Sequence, residues 1–296
     1  MPARRDPLRL ALQVVVYVFL YAATAWLCGP LFVWLLDYLA GITTTGLVAA
    51  CFANWLAMRI FAGRSLADIG LHWNPASIRN MGLGMAGGAG SAVLVLVGPL
   101  LAGAAHLTPV PGGETHFRTI AFVTLILLFG AAGEEILFRG FGFQALLVAL
   151  GPAATVVPIG VVFALLHASN PNATTLGLVN TAGFGILFGY AFLRSRDIWL
   201  PIGLHFGWNI TLPLFGVNVS GLKIGMTGYA MEWSAGPLWS GGAYGTEASV
   251  LTPVVLLALF FYLMKAPVRR QPSILLDPPA ETPPCAPGPQ QPPSLR

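Results

Sequence analysis

Long apolar runs follow one another along almost the whole chain: Leu8 to Leu36, Thr45 to Ala62, Met81 to Ala105, Phe117 to Phe138, Ala153 to His167, Thr175 to Leu193, Ile198 to Phe215 and Val250 to Lys265. A helix needs roughly 17 to 25 apolar residues to cross a bilayer, so this spacing predicts an all-α fold, a polytopic transmembrane bundle of about eight spans. The composition agrees, since 56% of residues are hydrophobic and only 9% are charged, which excludes an ordinary soluble domain. The basic start before Leu8 resembles a signal sequence, but the run behind it is too long for one, and it reads as a retained first span.

Where charge is scarce, its placement is informative. Apart from Arg139, the lysines and arginines fall on one side of these spans, with only Arg118 and Lys223 on the other. That asymmetry predicts cytoplasmic termini. The basic residues form no patch or stripe, which excludes a nucleic-acid partner despite the formal charge of +4. Cys28, Cys51 and Cys285 have neither CxxC nor metal-ligand spacing, so they imply no disulfide framework and no zinc site. Gly84/Gly88, Gly185/Gly189 and Gly203/Gly207 predict close helix approach. The Gly- and aromatic-rich connection 216–249 is either a lid, an interfacial hairpin or a plain loop. The Pro-rich tail 271–296 predicts disorder.

The stretch GEEILFRG, residues 133–140, breaks the apolar pattern. An ionic residue at a helix centre costs roughly 2.5 to 3.5 kcal/mol on insertion scales, so Glu134, Glu135 and Arg139 together need a reason. Either they fix helix packing as an ion-pair network, or they do chemistry. Of the five histidines, His72, His106 and His116 fall in loops, whereas His167 and His205 lie in or at the ends of spans. Asn209 is one turn beyond His205 and shares its face. Counting about 1.5 Å per residue, Glu134 and His205 reach similar depths in the cytoplasmic half. His167 agrees less well, unless the fourth span ends early and an interfacial helix covers Gly140 to Leu150. Glu135 and Arg139 are spaced i, i+4 in the favourable order for an intrahelical pair. Glu134 points about 100° away and is free to face the histidines.

The residues EEILFR (Glu134, Glu135, Arg139), FALLH (Phe163, His167) and HFGWN (His205, Asn209) resemble the EExxxR, FxxxH and HxxxN motifs of the CPBP family of intramembrane proteases. That family includes type II CAAX prenyl endopeptidases, lysostaphin-resistance-like proteins and bacteriocin-processing proteins. The resemblance implies a division into N-terminal spans (1–116), a catalytic core (117–215), an outer loop with the last span (216–270) and the tail. It also implies hydrolysis of a peptide bond in a membrane-associated protein or peptide. Glu134, hydrogen-bonded with His167, would be the general base, and neutral His205 with Asn209 would donate to the oxyanion, while Glu135 and Arg139 support the site. No cofactor is favoured, although a catalytic zinc could take His167, His205 and Glu134 as ligands. The competing readings are a silent immunity or scaffold protein and a proton-coupled transporter. The expected location is a bacterial inner membrane.

Overall fold

A computed structural model describes residues 6–277. Helices lie at all eight expected places: α1 (Pro7–Leu36), α2 (Tyr38–Ala57, prolonged by a π-turn to Ala62), α3 (Pro75–Leu101), α4 (Phe117–Arg139), α6 (Pro152–Leu166), α7 (Thr175–Ser195), α8 (Trp199–Leu214) and α10 (Thr252–Lys265). Between them are α5 (Phe141–Leu150) and the one-turn α9 (Pro237–Ser240). A small antiparallel sheet pairs β1 (Ala105–Pro109) with β2 (Tyr229–Trp233). Five helical stretches are long and apolar enough to cross a membrane: α1, α2 with its π-turn, α3, α4 with α5, and α7. The other three are shorter, with 15 residues in α6, 16 in α8 and 14 in α10. The all-α membrane architecture is therefore shown with five such spans. The outer face of α1 supports it directly, because Trp26 and Trp34 are 77% and 79% exposed, a surface suited to lipid.

Two helix starts differ most from the expected ones. The α1–α2 hairpin turns on Asp37 alone, at φ 66°, so α2 begins at Tyr38 rather than Thr45. Helix α3 begins at Pro75 rather than Met81, because Asn74 caps it by accepting from the N–H groups of Ala76 and Ser77. Its polar first turns bring Asn80 to Asp197 (2.7 Å) and to the carbonyl of Arg269 (2.7 Å). The first residues of the tail are also ordered. Gln271 donates to Ser77 and Asp197, Ser273 is buried beside Gln144, and Leu275 and Leu276 pack against α5 and its neighbours. The expected disordered tail thus begins with residues that pack onto the bundle through polar contacts of Gln271 and Ser273 and apolar contacts of Leu275 and Leu276; its remainder, 278–296, lies outside the described residues.

The register of α8 matters most for function. A methyl on Gly84 or Gly88 would meet the backbone of Leu200 or Leu204, and one on Gly203 or Gly207 would meet the backbone of Met81 or Met85. The two helices thus touch backbone to backbone through both glycine pairs, which fixes the height of His205. Gly185 likewise lies against Gly160, joining α6 to α7.

Helix α4 ends at Gly140, which frees carbonyls inside the bundle, where no water can satisfy them. Tyr17 of α1 donates to Leu137 O (2.7 Å), and Asn54 of α2 donates to Ile136 O (3.0 Å) while its own Oδ1 accepts from Phe141 N (2.6 Å). Nothing in the sequence reading singled out these two polar residues, although each interrupts an apolar run. They let α5 form as a separate helix and hold the acidic end of α4 in place.

Candidate active site

The structure brings Glu134, His167 and His205 together. Oε2 of Glu134 lies 3.8 Å from His167 Nε2 and 4.0 Å from His205 Nε2. His167 caps the end of α6 and reaches Glu134 although α4 and α6 keep nearly their expected bounds; the separate helix expected over Gly140 to Leu150 is present as α5. Glu134, His167, His205 and Asn209 all line one cavity of about 310 Å³, whose other walls are mostly apolar residues of α1, α2, α4 and the segment 219–224, with Thr43, Asn170 and Ser220 among them. The Glu134 side chain is 39% exposed. At 3.8 Å its contact with His167 is an ion-pair distance rather than the expected hydrogen bond, and Oε2 has no hydrogen-bond partner.

Glu135 is fully buried and faces away from the cavity. Its Oε2 lies 3.1 Å from Arg139 Nη1, the expected i, i+4 pair. Its Oε1 accepts from His205 Nδ1 at 3.0 Å, a second link the helix spacing could not show because the histidine comes from α8. Arg139 donates from Nη2 to Gly185 O (2.7 Å), and its guanidinium lies 5.5 to 5.7 Å from the ring centres of Phe138, Phe163 and Phe188. This is cation–π contact on three sides. Phe188 also stacks on the His205 ring, with centroids 5.0 Å apart and planes 17° from parallel.

These bonds set the imidazole protons. A carbonyl can only accept, so His167 Nδ1–H donates to Phe163 O at 2.7 Å, and the ring's Nε2 carries a lone pair when neutral. His205 gives its Nδ1–H to Glu135, so its Nε2 also carries a lone pair when neutral. The expected donation from a neutral His205 into the cavity is therefore corrected. Only the imidazolium can donate from Nε2 while Nδ1 serves Glu135, and the Glu135 carboxylate is placed to support that charge.

Two Nε2 lone pairs and a carboxylate are the donor types a zinc ion takes, with Phe163 O and Glu135 orienting the rings behind them. Oε2 of Glu134 stands 3.8 and 4.0 Å from the two Nε2 atoms, and among the described residues no three His, Cys, Asp or Glu side chains are grouped closely enough to hold a metal ion as they stand.

A residue that sequence reasoning missed stands behind the histidines. Glu247, in the connection between β2 and α10, is 3% exposed, and desolvation pushes its carboxyl up to about 7. The connection 216–249 is thus more than a plain loop. Its β2 pairs with β1, and its turn at Thr246–Ala248 dips back against α7. No local signal marks Glu247, which looks like an ordinary loop acid.

Residues 115–211 match the family model described as type II CAAX prenyl endopeptidase Rce1-like. This is the family that the three motifs resemble, and the matched segment contains all of them. No curated protein and no solved structure matches the chain.

Proposed function

We propose, for a chain that carries the Rce1-like protease family over residues 115–211, that it is an intramembrane endopeptidase in which Glu134 activates water. The observation that carries this reading is the contrast between two adjacent carboxylates. Glu134 is open to the cavity and within 4.0 Å of both Nε2 atoms, whereas Glu135 is sealed between Arg139 and His205. A general base must reach the proton it removes, and of the two only Glu134 can.

In this reading water gives a proton to Glu134 and the resulting hydroxide attacks the peptide carbonyl carbon. His167, neutral and oriented by Phe163 O, accepts a hydrogen bond from the attacking water through Nε2. The oxyanion is met by Nε2–H of the His205 imidazolium and by the Asn209 amide, donors that act strongly in a site shielded from bulk water. Glu134 then returns its proton to the amine as the C–N bond breaks. The apolar walls of the cavity suit a substrate segment that enters from the bilayer, such as a lipid-anchored or membrane-embedded peptide. If no metal takes part, cleavage by purified protein survives prolonged treatment with a strong zinc chelator, and elemental analysis finds zinc well below one per chain. Loss of cleavage on chelation with recovery on adding zinc overturns this choice and makes His167, His205 and Glu134 ligands. The reading itself is tested by comparing membrane proteomes with and without Glu134, where one precursor accumulates.

We further propose eight spans, with α6, α8 and α10 crossing as short helices and with cytoplasmic termini. Arg79 donates to Pro267 O, and Gln271 N to Ser195 O, so the basic connections gather at one end of the bundle, as positive-inside orientation requires. Because lysine is limited to Lys223 and Lys265 among fifteen basic residues, a bacterial inner membrane is the proposed location. In cells, single-cysteine variants at Arg64 and Arg270 label only from the cytoplasmic side. Labelling from outside inverts the arrangement.

A further inference from the structure

A second space, much smaller than the first, lies behind the histidines. His167, His205, Asn209 and Ser220 line both, while Trp208 and Glu247 line the small one alone. Its volume is about 20 Å³, enough for roughly one water. Its polar wall is built rather than accidental. Asn180 of α7 donates to the backbone carbonyls of Glu247 (2.7 Å) and Ser249 (3.0 Å), pinning the turn that carries the acid. Ser220 N donates to Glu247 Oε1 at 3.0 Å. The remaining carboxyl oxygen, Oε2, has no hydrogen-bond partner, and neither has the indole Nε1 of Trp208, a residue that lines the same small space.

A buried acceptor and a buried donor, each unpartnered, are costly, and the usual remedy is a water that bonds to both. We propose that this chamber binds one water between Glu247 Oε2 and Trp208 Nε1–H, and that Glu247 is a positioning residue supplying water to the hydrolytic site. The role of this water rests on the hydrolase reading; its presence does not. Hydrolysis consumes one water per bond cut, and a site walled by lipid and apolar helices needs a replacement at hand for each turnover. The chamber shares His167, His205 and Asn209 with the main cavity, so the distance to Glu134 is short. With the Glu247 carboxyl poised near neutrality, Oε2 can accept when ionised or donate when protonated, and the water stays bound in either state.

The test uses the full chain in lipid nanodiscs. X-ray radiolytic labelling in ¹⁸O-water oxidises buried side chains that touch bound water. Trp208, only 3% exposed, is labelled far above the fully buried Phe192 after correction for intrinsic reactivity and exposure. Glu247→Gln, which keeps an acceptor oxygen, retains the labelling, and Glu247→Leu loses it several-fold. With a quenched farnesylated peptide ending in a CAAX box as probe, Glu247→Leu lowers kcat by about tenfold at unchanged KM, as expected for one lost hydrogen-bonded water, and Glu247→Gln stays within about threefold. Trp208 labelled no more than Phe192 in the wild-type protein overturns the bound water, whatever the variants do. Labelling as expected with wild-type kcat in Glu247→Leu overturns the supply role. If the wild-type protein cleaves no peptide while Trp208 is labelled, the water stands, the supply role falls, and the failure belongs to the hydrolytic reading.

Discussion

Glu134→Gln abolishes cleavage while the protein still inserts, purifies and melts as the wild type does. The substitution keeps the volume of the side chain and its ability to hydrogen-bond, but an amide cannot take a proton from water. Loss of a general base costs about 10²- to 10⁴-fold in rate, enough to make turnover undetectable in most assays. Stability is spared because the group holds nothing together. Its side chain is 39% exposed, its Oε2 makes no hydrogen bond, and its nearest nitrogens are 3.8 and 4.0 Å away. Changes at such positions usually stay within about 0.5 kcal/mol. The measurement is a precursor that accumulates in membranes of the variant, with an unchanged melting curve beside it. Full activity in the variant removes hydrolysis by this cluster and favours a packing or proton-relay role instead.

The different surroundings of Glu134 and Glu135 were largely legible in the sequence, because helix geometry alone turns adjacent residues about 100° apart and the i, i+4 spacing pairs Arg139 with the second. What could not be read was every link between helices. The bond from His205 to Glu135 depends on the register of α8 against α3, which the four glycines fix only once the helices are packed. That bond in turn decides which imidazole nitrogen carries the proton, so the chemistry of the histidine was out of reach even though its identity was not. The turn at Gly140 follows the same logic, since it needs Tyr17 and Asn54 from distant helices to receive the freed carbonyls. Glu247 had no local signal at all. A loop acid becomes a buried one only because Asn180 and Ser220 draw its turn into the bundle.

Glu135→Gln has the opposite profile to Glu134→Gln: the variant accumulates poorly and melts lower. Both members of its ion pair are fully buried, and removing one partner of such a pair costs about 3 to 5 kcal/mol because the other charge is left uncompensated. Arg139 has little to fall back on. Its other contacts are one carbonyl, at Gly185, and three ring faces, while Nε and Nη1 have no hydrogen-bond partner. Adding Arg139→Leu removes the stranded charge and recovers part of the stability. Activity does not return with it. In the double variant His205 Nδ1 still lacks a carboxylate, so the imidazolium needed for donation from Nε2 is no longer supported. Stability that recovers without cleavage therefore separates the two duties of Glu135, one toward Arg139 and one toward His205. Recovery of both shows that the carboxylate serves packing alone. If instead Glu135→Gln is stable but inactive and Glu134→Gln is the unstable one, the two carboxylates exchange roles and the base is the one beside Arg139.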